Sequence, residues 1–150
     1  MRGNVNLSGA GLRIVPAFIV FVAAACAGQD APRGAPELGV EFSWKGVASC
    51  SDVSPRIVVR DVPPATRRFR VELVDLDSAI SRHGGGEVDA GRGGVIPEGA
   101  LKSYRGPCPA QSAIAYEMRV AALDEAGRVI ARGAERQSYT PVSLRGPSRR

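Results

Sequence analysis

The sequence predicts a mainly β fold. Three observations carry that prediction. Apolar and polar residues alternate along residues 40–44, 69–73 and 114–120. Turn-forming residues separate these runs. No long amphipathic helix lies between them.

The elements follow in chain order. Val40, Phe42 and Trp44 share one face of a first strand, and Ile57-Val58-Val59 form a second after Pro55. Residues 62–66, Val-Pro-Pro-Ala-Thr, close that unit with a turn. Phe69, Val71 and Leu73 alternate with Arg70 and Glu72, as expected of a half-buried strand. Residues 80–97 are glycine-rich with little periodicity and read as a functional loop, long structureless loops often being functional, or as a partly irregular crossing segment. Pro97 to Leu101 suits one short helical turn. Ile114, Tyr116, Met118 and Val120 point one way along the strongest strand, and Glu117 and Arg119 point the other. Asp124-Glu125-Ala126-Gly127 then makes a hairpin turn into Val129-Ile130-Ala131. Phe42, Trp44, Phe69 and Met118 are assigned to the core.

The chain has 150 residues, enough for one domain. Residues 1–26 divide into a basic stretch with Arg2 and Arg13, an apolar run, and a small-residue exit at Ala23-Ala24-Ala25-Cys26. This is the pattern of a secretory signal, and the apolar run is short for a membrane span. Its end resembles a bacterial lipobox, with Ala23 where leucine is usual. On that reading Cys26 is the lipidated N-terminus and anchors an exported protein to the periplasmic side of a membrane. The rival is ordinary cleavage near Ala25 or Ala27. Residues 27–39 are small and proline-bearing and read as a tether. The domain is expected over residues 40–139, with a polar tail at 140–150.

There are three cysteines. Lipidation would consume Cys26 and leave an even pair, so a Cys50–Cys108 disulfide is expected of an exported chain; two buried thiols are the alternative. The net charge is +5, of which Arg2 and Arg13 supply two. The remaining arginines are spread among acids, without a basic block interleaved with aromatics, so nucleic-acid binding is not expected.

One constellation carries chemistry. Asp75 and Asp77 are two apart, and on a regular strand both face one way. They read either as a receptor for an ammonium or hydroxyl group or as strand-end caps. His83, the sole histidine, precedes Gly84-Gly85-Gly86 and reads either as a phosphate donor or as a plain loop residue. The glycines lack the lysine and serine of a P-loop. Pro107 and Pro109 stiffen a turn around Cys108, and Tyr104 and Tyr116 offer hydroxyls at its edge or simply pack in the core. With one histidine there is no zinc-spaced ligand set, and no metal or cofactor is expected. Ser81 or Ser103 with His83 and an aspartate makes a hydrolase triad on paper, without a nucleophile elbow to support it.

Ser54-Pro55, the turn at 62–66, Val74-Asp75-Leu76-Asp77, Tyr104-Arg105-Gly106-Pro107-Cys108-Pro109, Tyr116 and Ala121-Ala122-Leu123-Asp124 occur in an order that resembles the phosphatidylethanolamine-binding protein family, in its bacterial Raf-kinase-inhibitor-like branch. The likeness spans about residues 40–134. It implies a large central sheet, a smaller flanking sheet and short helices, with a small pocket for phosphate or a phospholipid headgroup. Asp75 and Asp77 match the family's two pocket acids, with Leu76 in place of the usual proline. His83 matches the pocket histidine, and residues 106–109 match the pocket wall. The second pocket histidine, two residues before the tyrosine, is Ile114 here. The resulting expectation is a non-enzymatic envelope protein. It binds a headgroup or small anion at Asp75, Asp77, His83, Tyr104, Pro107 and Tyr116. The alternatives are an envelope interaction or scaffold module and an unrecognised hydrolase.

Overall fold

A computed structural model of the chain describes residues 34–78, 82–110 and 112–141. Residues 1–26, expected to be a signal segment, and with them Cys26, lie outside the described residues. The strands are β1 (Gly39–Phe42), β2 (Ile57–Arg60), β3 (Arg68–Asp75), β4 (Arg82–Asp89), β5 (Val95–Ile96), β6 (Ser103–Tyr104), β7 (Ile114–Leu123) and β8 (Val129–Tyr139). They form a three-stranded sheet, β1-β2-β5, and a five-stranded sheet, β6-β4-β3-β7-β8. Every strand pair in both sheets is antiparallel.

The alternating residues close the two sheets on one another. Val40, Phe42, Ile57, Val59 and Ile96 from the small sheet join Phe69, Val71, Leu73, Tyr116, Met118 and Val120 from the large one in a single buried cluster. Each large apolar side chain in it contributes about 1.5–3 kcal/mol by leaving water. Trp44 meets Phe42, Tyr116 and Tyr139 edge to face, with ring centroids 4.8, 6.1 and 5.8 Å away. A polar seam binds β1 to β8: the Gln137 side-chain amide donates to the Phe42 carbonyl at 2.7 Å, and the Leu38 N–H donates to the Arg132 carbonyl at 2.8 Å.

On the outer face of the large sheet the arginines find acids. Glu87 accepts from Arg68 and Arg70, and Glu117 accepts from Arg119 and Arg136. Two cations on each carboxylate hold Glu117 below the usual carboxylate range, Arg136 contributing most and Arg119 next.

Two expectations fail. The short helices are absent from the described residues, where the helical content is one 3-10 turn at Arg92–Gly94. Residues 97–100 instead form a β-turn in which the Ala100 N–H reaches the Pro97 carbonyl at 3.2 Å, and the Ser54 carbonyl takes the Gly99 N–H at 2.9 Å. Ser54 is fully buried and fixes this turn from the side.

The second failure is larger. The glycine-rich segment read as a loop or irregular crossing segment contains the eight-residue strand β4, paired to β3 on one side and β6 on the other. Gly84 and Gly85 are required because the neighbouring backbones approach too closely for side chains. A Cβ on Gly84 would lie 1.9 Å from the Ser103 carbonyl oxygen, and one on Gly85 would lie 1.9 Å from that of Val71. Glycine weakens the alternating signal, and so the strand is hidden from periodicity.

Gly84 also sits at φ +67°, inside a register shift where one residue of β3, Leu73, opposes two of β4, His83 and Gly84. This is a β-bulge with glycine in the left-handed region. Its effect is specific. In unbroken register Val88 and Gly86 face inward beside Phe69 and Val71, and His83 would face outward. The extra residue reverses the parity and turns His83 into the core.

Substituting Gly84→Ala is therefore expected to cost about 3 kcal/mol, combining left-handed strain with backbone collision. Gly93→Ala is expected to cost about 1 kcal/mol, since Gly93 has φ +77° but open space around it. Denaturant unfolding of both variants checks this, and equal losses would contradict it.

Candidate functional site

The bulge places one side chain from each of four neighbouring strands in a row across the inner face of the large sheet. Tyr104 of β6 pairs with Gly84 of β4. His83 is the next residue of β4. Asp75 of β3 lies opposite Tyr116 of β7. The structure thus brings together Tyr104, His83, Asp75 and Tyr116, which the chain spreads over more than forty positions.

A wall covers the row. The His83 Nδ1 lies 3.1 Å from the Arg105 carbonyl and 3.2 Å from that of Gly106. Both neighbours are acceptors, so Nδ1 carries the proton. The contact is returned by the Arg105 N–H, which donates to the His83 carbonyl at 2.8 Å. The ring stands edge-on to Tyr116, with centroids 5.1 Å apart. Its Nε2 faces Asp75 Oδ2 at 3.9 Å, an ion-pair distance beyond hydrogen-bond range.

The acids have different roles. Asp75 ends β3, and its Oδ1 accepts the N–H groups of Asp77 at 2.8 Å and Ser78 at 3.1 Å. Oδ1 therefore caps the turn that follows, while Oδ2 is directed to His83. Because the strand stops there, Asp77 does not share the inward face. It is exposed and accepts the Ala115 N–H at 3.2 Å. The expectation of two carboxylates on one face is corrected by that turn. The Gly84-Gly85-Gly86 backbone, expected to approach a ligand, is engaged with β3 and β6.

The wall is itself pinned. Cys50 and Cys108 form the expected disulfide, with Cα atoms 4.4 Å apart across 58 residues of sequence. Beside it the Cys50 N–H donates to the Pro107 carbonyl and the Gly106 N–H to the Ser51 carbonyl, both at 2.7 Å. Cys50 takes a left-handed conformation, φ +58°, rare for a residue with a side chain. Pro107 is fully buried behind it.

The site is closed. Asp75 and His83 are each 7% exposed, Tyr104 3% and Tyr116 1%. Ile114 is half-buried and packs against the core cluster. The Tyr104 hydroxyl is buried without a hydrogen-bond partner. Three surface grooves, beside Arg70 and Arg132, beside Lys45 and Glu98, and beside Arg60 and Gly91, are lined by other residues.

Both tyrosines hold their protons above the ordinary range. Burial raises Tyr104 most, with neighbouring Tyr116 and Tyr139 adding to it. Burial also raises Tyr116 most, followed by the Asp75 carboxylate, and a backbone hydrogen bond with Cys108 opposes the shift. Each stays a neutral hydroxyl near neutral pH.

Of the residues expected at the site, Ser103 is exposed on β6, and Ser81 lies outside the described residues. Sequence reasoning missed Ser49, whose hydroxyl meets that of Tyr139 at 3.0 Å, and Ser51. No short-range pattern marks either of them. No family model matches the chain, and no curated protein matches it.

Three outcomes are expected. Asp75→Ala lowers stability by about 2–3 kcal/mol, because two N–H groups lose a charged acceptor at a buried position. Asp77→Ala costs less than about 1 kcal/mol. Equal losses would refute the division of roles.

Replacing both Cys50 and Cys108 by serine lowers stability by about 4 kcal/mol, given the 58-residue separation. A loss below about 1 kcal/mol contradicts that.

At high pH the unfolded chain, with tyrosines near pH 10, gives up protons that folded Tyr104 and Tyr116 retain. Their contribution is complete below about pH 10 and is lost as pH rises beyond it. The denaturation midpoint should fall there, with tyrosinate absorbance from these two residues appearing only on unfolding. Their free titration in the native state would contradict their burial.

Proposed function

We propose that this is an exported, lipid-anchored, non-enzymatic protein of the phosphatidylethanolamine-binding type, which binds a phospholipid headgroup or small anion at the His83 end of the sandwich. The observation that supports this reading is the row Tyr104–His83–Asp75–Tyr116 beneath the Gly106–Pro109 wall. Those are the positions at which the motifs resemble that family.

The chemistry follows from fixed orientations. Nδ1 gives its proton to the wall carbonyls, so the ring meets a phosphate oxygen through Nε2 only as the doubly protonated imidazolium, in which both nitrogens donate. Tyr116 supplies a neutral hydroxyl rather than a competing phenolate. Asp75 Oδ2 and the exposed Asp77 carboxylate suit an ammonium group. A zwitterionic headgroup thus finds complementary charge, where a bare anion meets one donor beside a carboxylate. Ile114 removes a second donor and lowers the affinity of any anion.

A second reading, an envelope interaction or scaffold module, is favoured by the burial of Asp75, His83 and Tyr116. Calorimetric titration separates the two. Phosphoethanolamine, inorganic phosphate and a short-chain phosphatidylethanolamine are titrated into oxidised and reduced protein, beside His83→Ala. Headgroup binding predicts a preference for phosphoethanolamine over phosphate and at least a tenfold loss in the variant. No binding in either redox state, or binding indifferent to His83, overturns it in favour of the scaffold. Mass spectrometry of the membrane fraction should find acyl chains on Cys26, and an unmodified Cys26 would remove the anchor.

A further inference from the structure

The wall over His83 is held from the solvent side by the one covalent bond that spans it. Cys50 and Cys108 are both exposed, although the side chains beneath them are buried. Two further contacts fasten the wall to the 50–51 segment, the Cys50–Pro107 and Gly106–Ser51 hydrogen bonds. The remaining fastening is to the site itself, through His83 and the Cys108 contact with Tyr116. Cys50 in addition holds a left-handed backbone conformation that a serine or a free cysteine has no reason to keep.

We propose that the Cys50–Cys108 disulfide is a redox latch: its reduction frees residues 105–109 from the 50–51 segment and opens the Asp75–His83–Tyr116 row to a headgroup-sized ligand. The chemistry is thiol–disulfide exchange with an exported dithiol protein. One thiolate of the dithiol attacks the exposed Cys50 or Cys108 sulfur and breaks the S–S bond. The displaced cysteine leaves as a thiolate and takes a proton. The second thiol of the dithiol resolves the mixed disulfide and releases the other cysteine as a thiol. Two electrons pass to this protein, and the dithiol becomes a disulfide.

The opened wall exposes its own polar groups usefully. The Arg105 and Gly106 carbonyls leave Nδ1, and the Arg105 N–H leaves the His83 carbonyl. Both ring nitrogens and the exposed Arg105 guanidinium then face the entrance. In the closed form the apparent affinity is reduced by the fraction of molecules that are open, so the latch sets affinity without touching the ligand.

The latch concerns the pocket proposed above and rests on that reading for its ligand, so its test has two separate arms. In the first, amide hydrogen exchange is followed on the full chain in detergent micelles, oxidised and after mild reduction, with the Cys50→Ser/Cys108→Ser variant beside it. Reduction should speed exchange at Arg105 and Gly106 at least a hundredfold, while Val71 and Met118, in the paired centres of β3 and β7, change far less. Exchange at 105 and 106 that remains as slow as at Val71, or a uniform acceleration everywhere, overturns the latch. Because the wild type is reduced in place, the result stands even where the double variant fails to fold. In the second arm phosphoethanolamine is titrated into both redox states, with at least a tenfold gain expected on reduction. A local opening without any binding refutes the headgroup reading and leaves the hinge. Binding of equal strength in both states refutes the latch and leaves the pocket.

Discussion

His83 and the wall hold each other. The ring gives its Nδ1 proton to the carbonyls at 105 and 106, and the backbone of Arg105 returns a bond to the His83 carbonyl. These bonds join β4 to the wall. The disulfide and the two 2.7 Å backbone bonds carry the connection on to the 50–51 segment, between β1 and β2. The end of the sandwich is closed because these links run through one imidazole. That imidazole faces inward because of a single extra residue at Gly84.

The arrangement has a cost in local conformation and a return in order. Gly84 and Cys50 both occupy the left-handed region, and a charged acid and an imidazole are taken almost wholly out of water. Burial of that kind is tolerated when hydrogen bonds satisfy the groups. Asp75 achieves it through two backbone N–H groups and His83 through two carbonyls. The Tyr104 hydroxyl stands apart, buried without a partner, at the point of the row nearest the sheet edge. The polar groups at this end thus act as structure when the wall is closed.

Much of the framework was legible from periodicity. The β7–β8 hairpin, the β3 alternation, the core aromatics and the disulfide pairing all follow from side-chain alternation and cysteine parity, which are local signals. What was hidden is of another kind. β4 carries glycine where neighbouring backbones crowd it, so it shows no alternation, and its bulge is a property of two strands in register. Asp75 and Asp77 look equivalent in sequence, yet a turn two residues long separates a buried cap from an exposed rim. Tyr104, His83, Asp75 and Tyr116 were named together from the sequence and lie in one row, but their burial was not legible, because burial depends on a wall brought from elsewhere in the chain.

The central claim is the orientation of the only histidine in the chain, and this makes the decisive measurement unambiguous. A long-range ¹H–¹⁵N spectrum of the oxidised protein, recorded with the ring neutral, reports the tautomer and ring contacts of His83 alone. The account predicts the Nδ1–H tautomer, slow exchange of that proton, and an Overhauser contact between the ring and Tyr116. An Nε2–H tautomer, or a freely exchanging ring without contact to Tyr116, would contradict it.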